Sequence, residues 1–128
     1  MERSTVGEIM YRLRIESTFA AAHKLVGYNG KCARLHGHTW RVEAFVIGEK
    51  LDENGILADF KMLREKLEKI IEKFDHSLLN DFKEIGNPTV ENLARYIFQN
   101  LRELPRNVKL EKVRVWESEN SWGEYYEV

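Results

Sequence analysis

Two stretches of alternating apolar and polar residues, two stretches of helical period and two further alternating stretches predict an α+β domain. Their order is strand, strand, helix, helix, strand, strand. Strands grouped in this way, instead of alternating with helices, favour a four-stranded antiparallel sheet. Both helical stretches are amphipathic, which places the two helices on one face of that sheet. The other face is left to solvent or to a partner.

The first strand is read over residues 9–23. Ile9, Tyr11, Leu13, Ile15, Ser17, Phe19, Ala21 and His23 share one side, with Met10, Arg12, Arg14 and Glu16 on the other. "KLVGYNGKCARL" follows as a loop punctuated by Gly27, Asn29 and Gly30. A second strand over residues 36–49 puts His36, His38, Trp40, Val42, Ala44 and Val46 on one side, and "DENG" ends it as a turn. Asp59 has the residue type of a helix N-cap, and Leu63, Leu67, Ile70, Ile71 and Phe74 recur behind it at helical spacing. "DHSLLND" breaks this helix. "NPT" opens the second, with Thr89 as N-cap and an apolar stripe of Val90, Leu93, Ala94, Ile97, Phe98 and Leu101, ended by Leu104 and Pro105. A third strand is expected over residues 108–118 and a fourth over 122–128, with a turn around Asn120. Residues 1–8 read as a tail.

A chain of 128 residues, 43% hydrophobic and 32% charged, has material for one domain (1–128) around one core. Its net charge of -1 argues against a general nucleic-acid binder. No apolar run approaches the ~20 residues of a membrane span, and "MERSTVGEIM" lacks the apolar core of a signal peptide. One cysteine cannot form an internal disulfide, so a reducing cytoplasm is the expected compartment.

The segment "CARLHGH" concentrates the chemistry. His36 and His38 are two apart on a strand, so both rings project from one face. His23 closes the preceding strand, and antiparallel pairing would bring three imidazoles together. Three imidazoles suit Zn²⁺ and leave one position open, as catalytic zinc sites do. The plain alternative is a set of scattered polar histidines. Cys32, four residues before His36, is either a fourth ligand, a small buried hydrophobe or a reactive thiol. Its neighbours Lys31 and Arg34 are cations that favour the thiolate.

Two further features carry charge. Asp75 could orient the imidazole of His76 for acid–base work, although adjacent side chains rarely face each other and such a pair after a helix commonly serves as a cap. Glu117 points the same way as Val113 and Val115. A carboxylate on that face needs either access to solvent or a ligand with paired N–H donors.

"FAAAH" (Phe19 to His23), "CARLHGH", "DHSLLND", "NPTVENLARYI" and "VWES" (Val115 to Ser118) occur together in one order. In that combination the chain resembles the 6-pyruvoyl-tetrahydropterin synthases and their relatives, the 6-carboxy-tetrahydropterin synthases of queuosine-type deazapurine synthesis. The likeness runs from Leu13 to Tyr126. It implies the tunnelling fold, in which the sheets of three subunits join into a barrel and two trimers stack, with active sites between subunits. It implies zinc on His23, His36 and His38, with Cys32 as the thiolate that moves protons. Asp75 and His76 would complete a relay. Glu117 would hold the amino-pyrimidinone edge of a pterin, with Thr89 and Glu91 as further contacts. Relatives of the pyruvoyl type often carry a second Thr where this chain has Val90.

The substrate implied is 7,8-dihydroneopterin triphosphate. The carboxy type cleaves a carbon–carbon bond, whereas the pyruvoyl type stops after loss of triphosphate and internal rearrangement. The compact C-x-x-x-H-G-H spacing resembles the carboxy type. A third branch, serving folate, has Glu in place of this Cys. The competing readings are a non-catalytic zinc or pterin-binding module and a structural oligomer with surface histidines.

Overall fold

A computed structural model describes residues 10–128. Ile9, read as the start of the first strand, and the tail expected at residues 1–8 lie outside them. Strands β1 (Tyr11–His23), β2 (His36–Gly48), β4 (Lys109–Ser118) and β5 (Ser121–Tyr126) form an antiparallel series, with helices α1 (Phe60–Ile71) and α2 (Val90–Leu101) between β2 and β4. The α+β class and the pair of helices on one face are as the alternation predicts.

The strand count differs from expectation. The sheet has five strands, in the order Ser77–Leu78 (β3), β1, β2, β4, β5, and it is mixed. Strand β3 is only Ser77–Leu78, and it runs parallel to Ala21 and Ala22 of β1. His76 causes this addition. Its φ of 60° is left-handed, and the turn sends its N–H to the Ala20 carbonyl at 2.6 Å. Two residues are too few to show a period, so nothing in the local sequence announces this strand.

Both helix starts follow their caps. Asp59 accepts from the Lys61 N–H at 2.9 Å, and Thr89 accepts from the Asn92 N–H at 3.0 Å. Helix α1 gives way after Ile71 to a 3₁₀ turn (Glu72–Phe74) that turns Phe74 into the core. Ile70, assigned to the apolar stripe, is only half-buried. Ile15, Phe19, Trp40, Val42, Val113 and Val115 from the sheet pack with Leu63, Leu67, Ile71, Leu93 and Ile97 from the helices. Each such fully buried aliphatic side chain contributes about 1.5–3 kcal/mol.

The helix-free face is less open than its polar composition suggests. Glu43 sits on it and is only 4% exposed. Arg14 and the Trp116 indole both donate to its carboxylate, and Arg114 lies 3.8 Å away. Arg41 stacks over Trp116 at 4.0 Å and Arg114 over Trp122 at 3.9 Å. A layer of guanidinium and indole groups therefore takes the place of helices above Glu43. Burial pushes the Glu43 carboxyl up, but the Trp116 and Arg14 hydrogen bonds and the two arginine charges outweigh it, and the net shift is downward. No helix among the described residues is long and apolar enough to cross a membrane.

A carboxyl with a depressed folded-state value stabilises the fold above its ordinary value, and that contribution is lost as pH falls through the folded-state value. Glu43→Gln is expected to lower stability by roughly 2 kcal/mol at pH 7. In urea titrations the gap between wild type and variant should close as pH drops below the ordinary glutamate value of 4.5. A gap that does not vary with pH would contradict the assignment.

Candidate metal centre

Register places the histidines. In the pairing of β1 with β2, His23 lies opposite His36 and Ala21 opposite His38. Because His36 and His38 share a face, all three rings meet at one corner of the sheet, with one ring nitrogen of each within 4.8 Å of the others. Trp40, two residues further along β2, forms the floor. Its ring meets those of His23 and His38 edge-on at 4.8 and 5.2 Å, and its indole N–H donates to the Ala21 carbonyl at 3.1 Å.

Hydrogen bonds behind the rings decide which nitrogens face inward. His23 Nδ1 is 2.8 Å from the Pro88 carbonyl oxygen, and His36 Nδ1 is 2.6 Å from that of Arg34. A carbonyl oxygen only accepts, so both Nδ1 atoms carry hydrogen and both Nε2 atoms present lone pairs. Those two Nε2 atoms are 3.1 Å apart. Facing lone pairs repel unless a cation or proton lies between them. The Nε2 of His38 is buried without a hydrogen-bond partner, a condition that costs about 1–3 kcal/mol. One cation bound by all three Nε2 atoms, with the His38 hydrogen on Nδ1, removes every one of these conflicts. On a tetrahedral zinc with bonds of about 2.0–2.1 Å, ligand nitrogens sit about 3.3 Å apart. The residues present fit that ion.

Electrostatics agree. Burial pushes His23 down, and His36 adds to this, against the pull of Glu117 and the Pro88 hydrogen bond. Burial likewise pushes His38 down, partly opposed by Glu117. Both are thereby held neutral, the form that binds metal. Glu117 Oε2 lies 3.5 Å from His23 Nε2 and 3.8 Å from His38 Nε2. The carboxylate on the valine face is thus half-buried at the rim of the histidine cluster, with an exposed side.

Cys32 lies in a 3₁₀ turn (Lys31–Ala33) and is half-buried. Among the described residues, the group able to share a metal comprises the three histidines without it. Asp75 and His76 do meet: His76 Nδ1 is 3.1 Å from Asp75 Oδ2, because the left-handed φ of His76 folds one side chain back on the other. Asp75 Oδ1 also accepts from the Ala20 N–H at 2.9 Å. That hydrogen bond is the main cause holding the Asp75 carboxyl below its usual range, with His76 assisting. The His76 side chain is 83% exposed. Together with His38 it lines an open depression of about 430 Å³, floored by Ala20, Ala22 and Gly37. Thr89 is occupied as the α2 cap, although a hydroxyl that accepts can still donate. Glu91 is exposed in the first turn of α2.

A larger depression of about 680 Å³ lies beyond the far end of β2, lined by Lys50, Asp52, Ile56, Asp59 and Asn107 among others. It gathers neither histidine nor cysteine. Sequence reading did not foresee the Pro88 and Arg34 carbonyls that orient the rings. "NPT" signalled a helix start, but the direction of a backbone carbonyl leaves no mark in the residue types.

Residues 12–128 match the profile of the family described as 6-pyruvoyl tetrahydropterin synthase. A putative 6-carboxy-5,6,7,8-tetrahydropterin synthase of Archaeoglobus fulgidus is 43% identical over 110 residues, covering 86% of this chain and 90% of the relative. A dihydroneopterin monophosphate aldolase of Pyrococcus furiosus is 35% identical over 113 residues, covering 88% and 93%. Among solved structures, the 6-pyruvoyl tetrahydropterin synthase of Caenorhabditis elegans superposes with a TM-score of 0.81 at 24% identity, over 94% of this chain and 98% of that one. At that identity the superposition speaks to the fold.

Metal analysis of purified protein should find about one zinc per chain. His36→Ala and His38→Ala should each weaken zinc binding by at least about a hundredfold, since even partners outside the ligand set cost 10–100-fold. Full zinc retention in both variants would place the metal elsewhere.

Proposed function

The chain belongs to the 6-pyruvoyl tetrahydropterin synthase family, and from that premise we propose that it is a zinc-dependent lyase of the 6-carboxy-tetrahydropterin synthase type. In this reading it converts 7,8-dihydroneopterin triphosphate and water to 6-carboxy-5,6,7,8-tetrahydropterin, triphosphate and acetaldehyde. The observation that carries the proposal is the convergence of three imidazole nitrogens beside a half-buried carboxylate, with a thiol loop and a preformed Asp–His pair at the same end of β1.

Bound zinc would supply Lewis acidity, raising the acidity of hydroxyls on the substrate side chain. His23, His36 and His38 would hold it. Glu117 would accept two parallel N–H bonds from the amino-pyrimidinone edge, a match between a planar carboxylate and a guanidine-like donor pair. Thr89 and Glu91, at the start of α2, would flank the same ring. Cys32 as thiolate would take a proton from the side-chain carbon. His76 would pass protons on, its tautomer and ring plane held by Asp75.

The product assignment rests on the three residues between Cys32 and His36 and on the Archaeoglobus relative. A homotrimer, paired into a hexamer, completes the proposal. It is supported by the helix-free sheet face with its exposed Trp122 and Tyr126. The exposure of His76 also lets that imidazole serve the thiol of a neighbouring copy. A reducing cytoplasm suits the free thiol.

Zinc-loaded protein given 7,8-dihydroneopterin triphosphate should release 6-carboxy-tetrahydropterin and acetaldehyde, identified by mass. A pyruvoyl product would instead assign the sister activity. Turnover confined to dihydroneopterin monophosphate would align the chain with the Pyrococcus aldolase, and no turnover on either would leave a binding module.

Cys32→Ala should lower kcat by about 10²–10⁴-fold, the usual contribution of a proton-transfer group, and keep its zinc. Loss of zinc together with activity would make Cys32 a ligand.

A further inference from the structure

The loop that carries Cys32 leaves β1 at Lys24 and is held by two asparagine side chains from elsewhere in the chain. Asn80 accepts from the Lys24 N–H at 3.0 Å and donates to the Lys24 carbonyl at 2.9 Å. Asn87 repeats the arrangement two residues on, accepting from the Val26 N–H at 3.0 Å and donating to the Val26 carbonyl at 3.1 Å. Alternate residues of an extended segment present their N–H and C=O to one side, so the two carboxamides take the place of a neighbouring strand. Leu25 lies between them with its N–H aimed the other way, and it donates to the Cys32 carbonyl at 2.8 Å.

Both asparagines stand on fixed supports. Asn80 rides on a 3₁₀ turn anchored by the fully buried Leu79. The Asn87 carbonyl accepts from the Thr89 N–H and from the Asn92 carboxamide, each at 2.8 Å. The next residue, Pro88, supplies the carbonyl that orients His23. One corner of the chain therefore fixes both the metal-facing ring and the thiol loop.

We propose that Asn80 and Asn87 are positioning residues that clamp segment 24–26 and, through the Leu25 amide on the Cys32 carbonyl, set where the Cys32 thiol stands relative to the three histidines. This rests on the reading of Cys32 as the proton-carrying thiol. The glycines at 27 and 30, both at positive φ, make the rest of the loop pliant, so its shape depends on the clamp.

The test uses zinc-loaded wild type, the Asn80→Ala/Asn87→Ala double variant and the single variants Asn80→Asp and Asn87→Asp. Hydrogen exchange is read at Leu25, whose amide touches neither asparagine, and Cys32 is alkylated with iodoacetamide at a pH where the thiol is ionised. The double variant should speed Leu25 exchange at least about tenfold, the effect of losing several hydrogen bonds. Alkylation should accelerate with it, while zinc content and exchange in the sheet strands stay as in wild type. The Asp variants keep the acceptor and lose the donor, so they should fall between; they also decide the matter if the double variant does not fold. With dihydroneopterin triphosphate, kcat should fall about tenfold with KM within about twofold, because Glu117 is untouched. Unchanged Leu25 exchange, acceleration spread equally over the sheet, or a loosened loop with unchanged kcat would each overturn the proposal. If wild type itself fails to turn over, the pterin reading falls, and exchange and alkylation still decide whether the clamp holds Cys32.

Discussion

In the pairing of β1 with β2, Tyr11 lies opposite Gly48 and His23 opposite His36, without a break between. A slip of one residue would turn every side chain of a strand to the other face. If β2 slipped, Trp40 would leave the core, and His36 and His38 would point away from His23. The apolar pattern that makes the core therefore also makes the histidine corner, since the histidines continue the faces that carry Phe19 and Trp40. Burial of the one enforces convergence of the other.

That convergence carries a cost in the absence of a ligand. Two Nε2 lone pairs face each other, and the Nε2 of His38 lies buried without a partner. Carbonyls at Pro88 and Arg34 lock the rings so that they cannot rotate out of the conflict without losing a hydrogen bond. Desolvation resists the alternative remedy, protonation of His23 or His38. A bound cation meets all three conditions. It would leave Glu117 facing the remaining space, where a donor-rich ring edge could lie.

Much of this was legible in the residues. Period-two alternation assigned the faces of β1, β2 and β4, and with them the three histidines and Glu117. Asp59 and Thr89 marked both helix starts through their side-chain oxygens. What escaped depended on single backbone angles or on contacts distant in the chain. Strand β3 exists because His76 adopts a left-handed conformation, which also brings its ring to Asp75. Glu43 fell on the polar side of its strand by alternation, yet Arg14, Trp116 and Arg114 from neighbouring strands bury it. Whether Cys32 joined the histidine cluster or stood apart was open on spacing alone, because a Gly-rich loop can close either way.

In the proposed centre three imidazoles hold zinc while the thiol stays outside the coordination shell. X-ray absorption at the zinc edge of the purified protein tests this most directly, since nitrogen and sulfur ligands differ in bond length. The expected spectrum has a shell of nitrogen and oxygen at about 2.0–2.1 Å with imidazole scattering behind it. A zinc–sulfur distance near 2.3 Å, or a spectrum without imidazole, would contradict it.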